Sequence, residues 1–263
     1  MNQADRIYKR MFRRHFTNHN ANFPPSQPIS LGDFGFMKSG YFIPMGNIRS
    51  SFGLNFDVVK DQDPTYESFK SSDSVSVALI SKGAIGNSGV PAVKAGLEIK
   101  FEKEKSLFFS SAEVRYNYIQ DLINLGKEIK KLYRQKKWKK RYVLISAVLE
   151  GTNTMLAISG SSNAEVKIEA KSDSVKQIEL SDASIGLNIT RASKTAYEIV
   201  SNGELQIGFR LSRLYNPLFS GPELKTYSVK GINEKMDEDP KIDKENLIFG
   251  DIPPGYFEEI DLD

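Results

Sequence analysis

The sequence predicts an α+β, β-rich protein: a twisted antiparallel sheet with long hairpins, one central amphipathic helix and a short N-terminal helix. Three observations predict it. Apolar and charged residues alternate over several long runs, the period of a strand with one face on a core. One stretch near the middle carries apolar residues three and four apart, the period of a helix. And 263 residues, 40% hydrophobic and 26% charged, can bury a core as one large domain or two small ones.

Residues 1–22 read as a basic amphipathic N-terminal helix. Tyr8, Phe12 and Phe16 recur at i, i+4 and i+8 with Ile7 and Met11 beside them, and Arg6, Lys9, Arg10, Arg13 and Arg14 take much of the remaining surface. Such a helix suits an anionic membrane surface, and equally a dock on its own domain. Residues 23–30 are a stiff connector with Pro24, Pro25 and Pro28.

The β-rich core is expected over 31–216. Gly32, Gly35, Gly40 and Gly46 punctuate short runs up to Arg49, a strand follows at 55–59, and Asp61-Gln62-Asp63-Pro64 signals a loop. In 74–81, Val75, Val77 and Leu79 share one face. Val93, Ala95, Leu97, Ile99 and Phe101 return on one face, with Lys94, Glu98, Lys100 and Glu102 on the other, so the two runs form a long hairpin about the glycine-rich stretch 82–90.

Val114, Tyr118, Leu122, Leu125, Ile129 and Leu132 then make one helical stripe, and cations from Lys127 to Arg141 crowd its far end, where they complement the helix dipole. Strands follow at 142–149 and 154–159. A second hairpin sets Ala164, Val166, Ile168 and Ala170 against Glu165, Lys167, Glu169 and Lys171, and returns through Ile185, Leu187 and Ile189. Runs at 196–200 and 205–211 complete the pattern. Residues 217–263 are an acidic C-terminal tail, in which Lys235, Lys241 and Lys244 alone oppose the acids from Glu234 onward.

Chemistry by side chains is poorly provided for. There is no cysteine, hence no disulfide, thiolate metal site or cysteine nucleophile, and a reducing, cytoplasmic setting is expected. The first ten residues lack the apolar core of a secretory signal, and no run approaches the about 20 apolar residues of a spanning helix. Entry into a bilayer would need a surface helix or a barrel built from several chains. His15 and His19 stand at i, i+4 without a third ligand, so no metal site is expected. No phosphate loop or dinucleotide fingerprint occurs, and Gly86-Asn87-Ser88-Gly89 misses the spacing of a nucleophile elbow. Asp61 with Asp63, and Asp237 with Asp239, lie in loop-like surroundings beside proline, where turn formation accounts for them.

No enzyme, catalytic residue or cofactor is therefore expected, and function falls to surfaces. The candidates for membrane or partner contact are Arg6, Tyr8, Lys9, Arg10, Phe12 and Phe16, with Lys136, Lys137, Trp138, Lys139 and Lys140. The second group, with Tyr133 and Tyr142 nearby, fits acidic lipid, nucleic acid or a merely solvated helix end. A net charge of only +3 and the lack of a recognition module argue against nucleic acid.

The order of elements adds to this. It runs from the basic helix through strands with Leu31-Gly32-Asp33, a long hairpin, an amphipathic helix and the strand Tyr-Val-Leu-Ile-Ser-Ala-Val at 142–148. A second hairpin and Gly203-Glu204-Leu205-Gln206-Ile207-Gly208-Phe209-Arg210-Leu211 complete it. This order resembles the pore-forming domain of gasdermins over roughly residues 3–214. The resemblance implies a soluble, inhibited cytoplasmic monomer that oligomerises into a ring in a membrane, for cell death or antiviral defence, its two hairpins refolding into membrane-spanning ones. The partners implied are an acidic lipid surface, further copies of the chain and an activating protease. Bacterial gasdermins are similar in size and are held inactive by a short C-terminal segment; here Ile248, Phe249, Tyr256 and Phe257 would take that part. Unlike those members, this chain has no N-terminal cysteine to carry a lipid.

The hairpin runs come near the about 9–11 residues of a transmembrane strand, and a half-buried soluble sheet gives the same alternation. The rival reading is a non-catalytic β-rich interaction or assembly subunit whose basic head and acidic tail contact its partners.

Overall fold

A strand covered on both faces is buried along most of its length, and one strand of this chain is buried at all but Glu150, Thr152 and Asn153 of its 17 residues. It is the centre of the computed structural model, which describes residues 3–85, 91–170, 187–215 and 248–252. In chain order the elements are α1 (Gln3–His15), β1 (Asn20–Ala21), β2 (Asp33–Lys38), β3 (Tyr41–Asn47), α2 (Ile48–Phe52), β4 (Val58–Val59), β5 (Thr65–Lys70), β6 (Val75–Ile85), β7 (Pro91–Phe101), β8 (Leu107–Ile119) and α3 (Leu122–Arg134), then β9 (Val143–Ser159), β10 (Ala164–Ala170), β11 (Leu187–Ser193), β12 (Thr195–Tyr215) and β13 (Ile248–Ile252). The α+β, β-rich class read from the sequence is the one observed.

Every ladder of the main, nine-stranded sheet is antiparallel. One edge of β9 pairs with β12; the other pairs with β2 at its start and with β8 beyond. The far edge of β12 takes β1 at Gly208 and Phe209, and β13 from Leu211 to Tyr215. Where the sequence suggested two strands at 142–149 and 154–159, and two more at 196–200 and 205–211, each pair is one continuous strand. Asn153 and Asn202-Gly203 look like turn signals but sit inside strands, and the β9–β12 ladder absorbs them by shifting register, as bulges do. Asn153 takes a left-handed φ of 50°.

The two hairpins, β6–β7 and β10–β11, form a second antiparallel sheet in the order β11-β10-β7-β6. Register between β6 and β7 is unbroken from Val75 opposite Phe101 to Ile85 opposite Pro91. The predicted alternation is real: Val75, Leu97, Ile99, Phe101, Ala164, Val166 and Ile168 pack on Phe108, Met155 and Ala157 of the main sheet. Leu107 and Phe109, which point the other way, join Leu149, Leu156 and Ile207 beneath Ile7, Tyr8, Met11 and Phe12 of α1. The main sheet is thus filled on one face by α1 and on the other by the hairpin sheet. Each such Leu, Ile or Phe taken from water contributes about 1.5–3 kcal/mol.

The central helix is shorter than its apolar stripe suggested. It begins at Leu122, where Asp121 caps it by accepting a hydrogen bond from the Asn124 amide at 2.9 Å. Val114 and Tyr118 belong instead to β8, alongside Phe108, Phe109 and Tyr116, in a run of β-branched and aromatic residues that favours strand. Leu125 and Ile129 of α3 pack with Phe34, Ile48 and Leu144.

Candidate functional site

The basic helix is built into the molecule. Phe12 is wholly buried, its ring 5.4 Å from that of Tyr8 and 4.7 Å from that of Phe16. Tyr8 is equally buried, and its hydroxyl donates to the Ile207 carbonyl at 3.1 Å. Burial pushes that phenol well above its usual range. Gly208 on β12 is what lets the helix come so close: a Cβ there would lie 2.4 Å from Phe12 Cζ.

Lys9 is also buried, against the expectation of a surface cation, because it has a buried partner. Its Nζ lies 3.1 Å from Asp5 Oδ1, donates to the Gly40 carbonyl at 2.9 Å and sits 3.8 Å above the ring of Tyr41. The Tyr41 hydroxyl donates to Asp5 Oδ2. Burial, together with that bond to the Asp5 carboxylate, pushes Tyr41 up to about 12. At the other end of α1, His15 Nε2 meets Glu67 Oε2 at 2.7 Å and its ring stacks on Phe69. The helix is therefore fastened at both ends, to the β2–β3 turn and to β5.

Of the N-terminal candidates, Tyr8, Lys9 and Phe12 thus face the core and present nothing to a membrane in this conformation, whereas Arg6 and Arg10 are exposed and Phe16 is half-buried. The second cluster divides in the same way. Trp138 is about 1% exposed, enclosed by Phe34, Phe52 and Tyr142, while Lys136, Lys137 and Lys139 are exposed and Lys140 is half-buried. An indole amid charges reads from sequence as interfacial; here it is the anchor of the loop that carries them.

The β2–β3 hairpin links the two clusters. Gly40 and Tyr41, at its turn, touch Lys9, and Phe36, farther along β2, lies under the guanidinium of Arg141 at 5.5 Å. On β3, Ile43 (37%), the partner of Phe36, and Met45 (55%), two residues farther on, are exposed. No motif in the sequence marks these two residues. Arg6, Arg10 and the 136–141 loop thus expose cations, and Ile43 and Met45 expose apolar side chains, the two kinds of group that an anionic interface takes up. Pro44, between the two apolar residues, withholds a backbone donor from this edge strand.

The hairpin sheet carries the opposite kind of face. On its outer side, Glu98 Oε2 lies 2.8 Å from Lys100 Nζ and Glu98 Oε1 2.9 Å from Lys167 Nζ, and Lys167 also reaches Glu165 at 2.8 Å. Hydrogen bonds from Lys100 and Lys167 pull the Glu98 carboxyl down to about 2. One side of these strands is thus apolar and the other a balanced lattice of charges.

Of the tail, Ile248 and Phe249 fall on β13, whose backbone pairs with β12; Tyr256 and Phe257 lie outside the described residues. Among the described residues no three His, Asp or Glu side chains gather as a metal site, and no helix is long and apolar enough to cross a membrane.

No family model and no curated protein matches the chain. Comparison with solved structures finds gasdermins. A bacterial gasdermin from Bradyrhizobium tropiciagri is 12% identical, over 92% of this chain and 90% of that one, with a TM-score of 0.37. The gasdermin A3 membrane pore, solved by cryo-EM, is 12% identical, over 82% of this chain and 91% of that one, with a TM-score of 0.33. These are structures of the family that the order of elements resembles. At such TM-scores the likeness carries nothing about mechanism, which has to come from this chain's own residues.

Proposed function

We propose that the protein is a gasdermin-like, non-enzymatic pore-former that oligomerises on acidic membranes as a cell-death or defence effector. The observation that carries the proposal is the four-stranded hairpin sheet, with strands of 11 residues in β6 and β7, in which Val75, Leu97, Ile99, Phe101, Val166 and Ile168 share an apolar face and Glu98, Lys100, Glu165 and Lys167 a charged one. A spanning β-barrel needs that pairing of faces, apolar towards lipid and polar towards water. In the folded chain the main sheet covers the apolar face, so insertion requires the two sheets to part.

Arg6, Arg10 and the 136–141 loop, with the exposed Ile43 and Met45 of β3, supply the first contact with anionic lipid. Ile248 and Phe249 on β13, with Tyr256 and Phe257 beyond it, restrain the chain until a protease removes the tail.

Dye-loaded vesicles of anionic and of neutral lipid test this, with purified chain either intact or cut after about residue 230. The expected result is release from anionic vesicles by the cut form, lost when Arg6 and Arg10 are replaced by Glu. Absence of release by both forms at every protein concentration overturns the proposal.

A further inference from the structure

The three long strands of the main sheet lose regularity along one line. Between Ser111–Thr154 and Glu113–Thr152 of the β8–β9 ladder, the pairing of Ala112 with Asn153 is missing. Beside it, β12 shifts register between Ser201 and Glu204, and again between Gln206 and Gly208. Three residues of β12, Glu204 to Gln206, therefore hold to β9 between two bulges. To one side of the line Val200 packs with the hairpin sheet and Ile199, on the opposite face, with the α1 cluster; to the other side Ile207 packs beneath α1.

Two carboxyl groups sit on this short stretch. Glu150 pairs with Gln206 and Glu204 with Thr152, so the two acids are diagonal neighbours on one face of adjacent strands. Glu204 acts on Glu150 as a neighbouring carboxyl and raises its affinity for a proton. An ionised carboxylate is an acceptor only, so a hydrogen bond between the two requires a proton on one of them. The other groups around Glu150 make no substitute for the proton. Asn117 donates its amide NH2 to Glu150 Oε2, an orientation enforced by the Asp61 amide, which donates to Asn117 Oδ1 at 3.1 Å. Arg115, the partner of Glu150 in the β8 ladder, spends its guanidinium on Glu113 at 2.8 Å and on the Asp61 carbonyl at 3.4 Å. The Asp61 carboxylate accepts from the Tyr116 amide. Lys60 acts on Glu150 from the loop before β5. Burial and the neighbouring Glu204 hold the Glu150 carboxyl up at about 7, against the smaller opposing pull of Lys60 and Asn117.

We propose that Glu150 and Glu204 are a proton-operated fastener across the bulge line: one proton between them ties β12 to β9, and loss of that proton sets two like charges against each other and loosens the strands there. The device sits at the level where β8, β9 and β12 all depart from regular pairing. It does not rest on the pore reading and is tested without a membrane.

The experiment is amide hydrogen exchange on the full chain at pH 6 and pH 8, corrected for the intrinsic exchange rate. Protection of amides 201–206 is expected to fall about tenfold or more between the two, the effect of one pKa unit of lost interaction. Amides of β2 and β3 serve as the control and should hold steady. Glu150→Gln removes one charge and keeps a side chain able to donate, so its protection should be equal at both values; Glu204→Gln makes the same comparison should the first variant fold poorly. Equal protection in the wild type at pH 6 and pH 8, or the same fall in both Gln variants as in the wild type, overturns the proposal.

Discussion

Replacing Phe12 by Ala asks whether α1 is a part of the core or an appendage. The ring is wholly buried, packed among Tyr8, Phe16 and the close backbone of Gly208, so its loss leaves a cavity that a helix fastened at both ends cannot collapse to fill. Burial of this kind costs about 3–5 kcal/mol on truncation of Phe to Ala. At about 2–4 °C per kcal/mol for a chain of this size, the midpoint of thermal unfolding should fall by about 6–20 °C. Arg10→Glu, on the exposed side of the same helix, should stay within about 0.5 kcal/mol. Urea titration and calorimetry measure both. A loss below about 1 kcal/mol for Phe12→Ala would refute the docked helix, since a helix that simply rests on the sheet would shed its ring at little cost.

Two further predictions follow from buried charge. Asp5→Ala strands Lys9 in the core and should destabilise by about 3–5 kcal/mol, whereas Asp5→Ala with Lys9→Met should cost less than Asp5→Ala alone; a urea double-mutant cycle reads the coupling. Glu150 binds its proton more tightly when folded, its carboxyl raised from 4.5 to about 7. The stability it contributes is therefore fully present below about pH 4.5 and is lost as the pH rises through about 7. Glu150→Gln should flatten that slope and be the more stable protein at pH 8 by about 1–2 kcal/mol, a figure reduced for the group's partial exposure, as urea midpoints across pH 5–8 will register.

The hairpin sheet was legible in the sequence because its outer and inner residues alternate without interruption, as in Leu97, Glu98, Ile99 and Lys100. The helix at the centre was overextended for a definite reason. A spacing of four is common to both periods, so Val114 and Tyr118 fit the helical stripe and a strand equally well, and only Asp121 as a cap separates them. The strand β5 has no signal in the sequence, because Thr65–Lys70 carries no run of alternating apolar residues. Asn202-Gly203 was misleading in the opposite sense, since residues that make turns also make bulges and only the partner strand decides which. The sequence marks the basic aromatic helix but not its orientation: an apolar stripe looks the same whether it meets lipid or a sheet, and the close approach at Gly208 is a property of two distant segments. Ile43 and Met45 were illegible because exposure on an edge strand is set by what fails to cover it.

The burial of Trp138 has one more consequence. Lys136, Lys137 and Lys139 do not hang on a loose loop; a single indole driven into the core fixes the backbone from which they project. A flexible basic tail meeting a charged surface must give up backbone freedom worth about 1–2 kcal/mol for each residue it orders. This loop has already lost that freedom in folding. Its cations are preorganised, so whatever anionic surface they meet is engaged as a fixed array, selective for the spacing of charge as well as for its sign.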